Sequence, residues 1–233
     1  MDFIRRISGI LGLHRKKELS EEAYYTNLFT RDPLYSTRTP NEEELERWNH
    51  ISTLISIAKS RSGQNHFHQI IDFGCGRGWL TNLLATEGKV TGIEPVEQVV
   101  QYGKKLYPSI DLRHGDISLL EELKANLIVC SEVIEHISKT DLPGYFQIFF
   151  QCLENDGFLM ITSPRMEVYD QWEKYSPPGQ PVESWLYENE IQQLAEDAGF
   201  IVVEKIVYGE KPRYDMDPID VYQQWLFKKP GIA

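Results

Sequence analysis

From residue 69 onward, short apolar runs alternate with stretches of helical period. QIIDFG reads as a strand, WLTNLLATEG as a helix ended by Gly88, and KVTGIEP as a second strand. A helix near 96–106, the short strand IDLRHGD and a helix near 118–124 lead to a fourth strand, NLIVCSE. Helix 140–153 follows, with Leu142, Phe146, Phe149, Phe150 and Leu153 on its inward face, and then a fifth strand, GFLMITSP. Strands alternating with helices at this spacing predict βαβ units, hence an α/β fold with a mainly parallel doubly wound sheet. The end departs from the alternation: the helix ENEIQQLAEDAGF precedes IVVEKIVYGE, and no helix separates that strand from VYQQWLFKK. A parallel partner needs a crossover, so these two strands predict an antiparallel hairpin closing one edge.

Upstream the pattern is different. Phe3, Ile4, Ile7, Ile10 and Leu11 recur at helical spacing within 1–17, residues 24–44 show aromatics and prolines without a clear period, and Pro40 and Asn41 lead into a helix over roughly 41–60. That helix puts Leu45, Trp48, Ile51, Leu54, Ile55 and Ala58 on one face and ends at Gly63. The division expected is a helical cover over 1–60 and a sheet domain over 61–233.

A length of 233 residues, with 41% apolar and 25% charged residues, suits one sizeable core. The net charge of −11 disfavours a general nucleic-acid binder. Residues 1–17 run against this balance, with Arg5, Arg6, Arg15, Lys16 and Lys17 opposed only by Asp2. Two readings stand: a basic amphipathic helix making weak membrane-surface or partner contact, or a terminal helix that packs or frays. Cys75, Cys130 and Cys152 are widely spaced and form no disulfide framework, which suits a reducing cytosol. No apolar run reaches the length of a membrane span and no secretory leader is visible, so a cytoplasmic location is expected.

The informative run is Asp72-Phe-Gly74-Cys75-Gly76-Arg-Gly78-Trp79, between a strand and a helix. Glycines there allow positive φ and close approach of a ligand to backbone, next to the free N–H groups of a helix start. Glu94, 20 residues past Gly74 at the end of the second strand, can accept both hydroxyls of a ribose. Asp116, after the third strand and followed by Ile117, offers an acceptor and an apolar surface to an adenine; it is equally suited to N-cap the next helix. A dinucleotide fold calls for G-x-G-x-x-G, whereas this loop is G-x-G-x-G with Trp at 79. That difference and the closing hairpin oppose a nicotinamide-dependent oxidoreductase.

IIDFGCGRGWLTNLLA, GIEP, HGDI, VCSEVIEHI and GFLMITSPR, in this order, resemble the class I S-adenosylmethionine-dependent methyltransferases over roughly residues 69–210. The resemblance implies strand order 3-2-1-4-5-7-6 and S-adenosyl-L-methionine as cofactor. It implies that Gly74, Gly76 and Gly78 border the methionine part, with Asp72 and Cys75 beside them. It puts Glu94 and Pro95 at the ribose, Asp116 and Ile117 at adenine, and Ser131 near the sulfonium.

Methyl transfer is an in-line displacement that rewards positioning, and a hydroxyl nucleophile gains from proton removal. The candidate catalytic residues lie in Glu132-Val-Ile-Glu135-His136 after the fourth strand: His136 as base, with Glu132 beside it. The alternative is that Glu135 and His136 simply begin the next helix. The same E-x-x-E-H text resembles a metal-binding segment of small-RNA and ubiquinone-pathway O-methyltransferases. The RNA enzymes use a further histidine after the fifth strand and none follows here, so no metal is expected. Tyr169, Trp172, Tyr175, Trp185 and Tyr187 either line an acceptor site or pack an insert, and Arg38 and Arg165 either bind an acidic acceptor or pair on the surface. The expected activity is methylation of a small-molecule acceptor at oxygen, with N-methylation of an amine, peptide or protein side chain as the alternative. A non-catalytic relative that binds cofactor or a partner is the remaining competitor. The sequence carries no signal for oligomeric state.

Overall fold

The computed structural model describes residues 20–175, 180, 184–212 and 215–231. The basic stretch 1–17 lies outside the described residues. Seven strands form one sheet: β1 (Phe67–Phe73), β2 (Gly88–Glu94), β3 (Asp111–His114), β4 (Ala125–Ser131), β5 (Leu153–Pro164), β6 (Ile201–Glu210) and β7 (Ile219–Lys228). Their order is β3-β2-β1-β4-β5-β7-β6, with β7 antiparallel to both neighbours and every other pairing parallel, as expected for the resembled family.

The period of two explains the layering. Ile70, Leu127 and Val129 face one side of the sheet, and Ile71, Ile128 and Cys130 face the other, all of them buried. The first side packs on helix α2 (Glu42–Ser62) through Ile51, Leu54, Ile55 and Ala58, and on α3 (Trp79–Leu84) through Leu80 and Leu84. The second packs on α5 (Leu142–Cys152) through Leu142, Phe146 and Phe149, and on α7 (Glu188–Asp197) through Ile191 and Ala195. Helix α4 (Glu97–Leu106) buries Val99 and Val100 near β3, and α6 (Tyr169–Trp172) is a single short turn.

Helix α2 starts where Asn41 suggested. The Asn41 side chain accepts from the Glu44 amide at 2.8 Å, and Glu44 returns the bond to the Asn41 amide at 2.9 Å. Gly63 ends the helix at φ 67°. Leu45 is not on the inner face; it is exposed, because in the first turns the inner face runs through Glu44, Arg47 and Trp48.

The irregular reading of 24–44 is corrected in its first half. Glu21–Arg31 is helix α1, N-capped by Ser20, with Glu21 and Glu22 in its first turn and Arg31 in its last. It buries no residue completely, so no apolar period marks it. The expected helix at 118–124 is a 3₁₀ turn, Ile117–Glu122, capped by Asp116.

Candidate functional site

The loops at the carboxyl ends of β1, β2, β3 and β4 converge, as ligand sites do in open α/β sheets. After β1 the chain turns at Gly74 and Gly76, whose φ values are +75° and +51°. A Cβ on Gly74 would lie 2.3 Å from Val133 Cγ2, and one on Gly76 would lie 2.9 Å from Phe29 Cζ. The glycines therefore let Val133 and Phe29 pack directly on the turn, where a side chain would collide. Gly78, at φ +88°, begins α3 and packs on Leu112; it lines neither hollow described below.

Two hollows adjoin at this edge. One, of about 300 Å³, is bordered by Phe73, Glu94, Pro95, Asp116, Ile117 and Tyr145. The other, of about 270 Å³, is bordered by Asp72, Cys75, Gly76, Trp79, Ser131 and Glu135, and by Tyr35, Glu43, Arg47 and Tyr222. Tyr25, Phe29, Gly74, Glu132 and His136 border both. The three turns singled out in the sequence thus meet at one composite cavity.

Glu94 is buried, with Oε1 accepting from the Val96 amide and Oε2 from the Gly76 amide, each at 3.0 Å. Burial pushes its carboxyl up to about 7 against the pull of those two bonds. Asp72 is pushed up to about 7 by burial too, while the Thr81 hydroxyl donates to its Oδ2 at 2.6 Å. Asp116 both caps the 3₁₀ turn and borders the cavity. The Ser118 hydroxyl and amide donate to its Oδ1 at 2.7 and 2.9 Å, and those bonds hold its carboxyl below the usual range. Cys75 borders the cavity while its side chain packs with Val100 and Leu112, and burial pushes its thiol up.

Glu132 has φ +54°, a left-handed conformation that costs a non-glycine residue energy. It is held by Thr162: the Glu132 amide donates to the Thr162 carbonyl at 3.0 Å, and the Thr162 hydroxyl donates to Glu132 Oε1 at 2.9 Å. The Ser131 hydroxyl meets the same Thr162 Oγ1 at 2.8 Å. Residues Ile134–His136 form one 3₁₀ turn, which presents the His136 ring edge-on to Tyr25 at 5.8 Å, with Nε2 3.7 Å from Glu135 Oε1. Among the described residues no three His, Cys, Asp or Glu side chains are grouped as a metal site.

Several residues were not foreseen. Arg47 donates to Glu43 Oε1 at 2.8 Å and lies over the Tyr222 ring, and its Nε has no hydrogen-bond partner among the described residues. Tyr35 and Tyr222 donate to the same Glu43 carboxylate at 3.2 and 3.5 Å. Tyr25 and Phe29 come from α1, which carried no sequence period. Conversely, Tyr169, Trp172, Tyr175, Trp185 and Tyr187 border neither hollow, and Trp185 packs edge-on against Tyr169. Arg165 is engaged by Glu188 and the Asp220 carbonyl, and Arg38 lies over Tyr107.

A family model described as a methyltransferase domain matches residues 37–205. The chain belongs to that family. Its sheet is that of the class I S-adenosylmethionine-dependent methyltransferases. S-adenosyl-L-methionine is the cofactor this fold implies, and the joined hollows, the positive-φ glycine turn and the carboxylate of Glu94 suit it. The ubiquinone biosynthesis O-methyltransferase of Bos taurus is 39% identical over 106 residues, 41% of this chain and 28% of that protein. The ubiquinone biosynthesis O-methyltransferase of Rickettsia prowazekii is 35% identical over 127 residues, 51% of this chain and 50% of that protein. The chain therefore spans half or less of the length of these relatives. Among solved structures, the N-methyltransferase NodS of Bradyrhizobium japonicum, in complex with S-adenosyl-L-homocysteine, superposes with TM-score 0.66 at 18% identity, covering 91% of this methyltransferase-family chain and 100% of that one. No helix among the described residues is long and apolar enough to cross a membrane.

Proposed function

We propose that the chain transfers a methyl group from S-adenosyl-L-methionine to an oxygen of a small-molecule acceptor, with residues 20–60 as a cover over the sheet domain. The observation that carries this reading is the pair of adjoining hollows with a shared wall of Gly74, Tyr25, Phe29, Glu132 and His136. Oxygen as the target is supported by the names of the bovine and rickettsial relatives.

Glu94 takes the ribose hydroxyls, with Pro95 beside it, and Asp116 and Ile117 take the adenine. Asp72, Gly74, Cys75 and Gly76 hold the amino-acid end, and Ser131 stands beside the sulfur. When bound, the cofactor supplies a methyl carbon on a positively charged sulfur, open to displacement. Glu132 orients the acceptor from the junction of the hollows, its own direction fixed by Thr162. His136 takes the acceptor's proton at its imidazole, and the nearby Glu135 carboxylate stabilises the charge that forms.

N-methylation is the second reading. Tyr24, Tyr25, Tyr35, Trp79 and Tyr222 border the acceptor hollow, and aromatic rings hold cationic amines. The deciding experiment incubates the full chain with methyl-labelled cofactor and parallel panels of hydroxylated and amino compounds. Label on a hydroxylated compound, with S-adenosylhomocysteine released, is the expected result. Label only on amines overturns the oxygen assignment, and cofactor binding without transfer to either panel overturns the catalytic one.

A further inference from the structure

Arg77 is the largest fully buried side chain among the described residues, and it borders neither hollow. It sits between the left-handed glycines 76 and 78. Its guanidinium forks onto Glu44, with Nη1 donating to Oε1 at 2.5 Å and Nη2 to Oε2 at 2.8 Å, and its Nε donates to the Thr37 carbonyl at 2.7 Å. The carbonyls on either side are held as well. The Tyr102 hydroxyl donates to Ser36 O at 2.8 Å, and the Tyr107 hydroxyl donates to Arg38 O. Three successive carbonyls of the strap leading into α2 are thus gripped by side chains of the cofactor half.

Glu44 also closes the cap of α2, and it borders the acceptor hollow together with its helix neighbours Glu43 and Arg47. On the loop side, the preceding amide, that of Gly76, donates to Glu94. A buried ion pair is a poor stabiliser compared with apolar residues of the same volume, whereas a bidentate fork fixes relative position in two directions. We infer that Arg77 is a positioning residue that locks the glycine loop to the start of α2, so that the cofactor seat and the acceptor wall keep one relative geometry. The inference rests on the cofactor seat assigned above.

The test measures S-adenosylhomocysteine affinity by calorimetry and thermal unfolding of the full chain. The double variant R77M/E44M removes both charges, together with the Glu44 bond to the Asn41 amide and the Arg77 donor to the Thr37 carbonyl, so it should fold with a lowered unfolding temperature while affinity falls about tenfold. E44Q, which keeps the shape of the fork but weakens it, should lose affinity in the same direction. K59M, which removes the Lys59–Glu87 pair at the far end of α2, should leave affinity unchanged. A folded R77M/E44M with affinity within about twofold of the parent overturns the inference, as does an equal loss in K59M. Should the double variant fail to fold, E44Q and R77K decide: parental affinity in both overturns the inference, and a loss in both supports it. Absence of binding by the parent chain overturns the cofactor seat itself, whereas binding by the parent with indifferent variants overturns this inference alone.

Discussion

The amide of Gly76 donates to Oε2 of Glu94 at 3.0 Å, which joins the turn after β1 to the end of β2. Glu94 is therefore a brace as well as the proposed ribose-binding group. Glu94→Ala is expected to lower S-adenosylhomocysteine affinity about 100-fold, on the scale of one or two hydrogen bonds to a charged group. Calorimetry measures the affinity, and a circular dichroism spectrum like the parent's confirms the fold.

The same carboxylate gives a pH dependence. Glu94 and Asp72 are pushed up to about 7 by burial, so the folded chain holds protons that the unfolded chain releases near pH 4. The folded state binds more protons in this window, so stability falls as pH rises from about 5 to about 8. Thermal unfolding of the ligand-free chain should show that slope. Asp72→Asn together with Glu94→Gln should reduce it, leaving the part due to Glu210, whose carboxyl burial pushes up to about 8.

Gly76→Asp is expected to abolish cofactor binding. The position has φ +51°, its Cβ would meet the Phe29 ring at 2.9 Å, and the new charge would lie beside Glu94 and Asp72. Gly76→Ala keeps the backbone strain and the collision but adds no charge. Combining it with Phe29→Ala should recover the collision part alone, leaving a strain cost of about 1–3 kcal/mol in chemical denaturation.

Glu132 separates strain from chemistry. Glu132→Ala keeps the left-handed backbone cost, whereas Glu132→Gly relieves it, so the glycine variant should be the more stable by about 1 kcal/mol. Both lose the carboxylate held by Thr162, and both should lose turnover. Equal turnover in the parent and the two variants would remove Glu132 from the reaction.

For His136→Ala, turnover on a hydroxylated acceptor should fall about 10²–10⁴-fold while S-adenosylhomocysteine affinity changes little. The pH–rate profile should lose its rising limb in the variant.

The strands were legible because consecutive residues such as Ile70 and Ile71 are both buried on opposite faces, which makes short unbroken apolar runs, whereas their order came from the family resemblance. Helix α1 was not legible: Tyr25 and Phe29 face a cavity rather than the core, so nothing in their spacing marks a buried face. Glu94 and Asp116 could be read from their places at strand ends. Arg77 could not, because its partner Glu44 is 33 residues away and only the fold brings them together. The aromatics after β5 drew attention by density, yet Tyr35 and Tyr222, from opposite ends of the chain, supply the walls.

The shared wall has a consequence for engineering. Tyr25 and Phe29 belong to both chambers, so trimming either ring to admit a bulkier compound also reshapes the chamber proposed for the nucleoside. Tyr35 and Tyr222 border one chamber only. Libraries that aim to change which compounds this chain accepts should begin at those two positions.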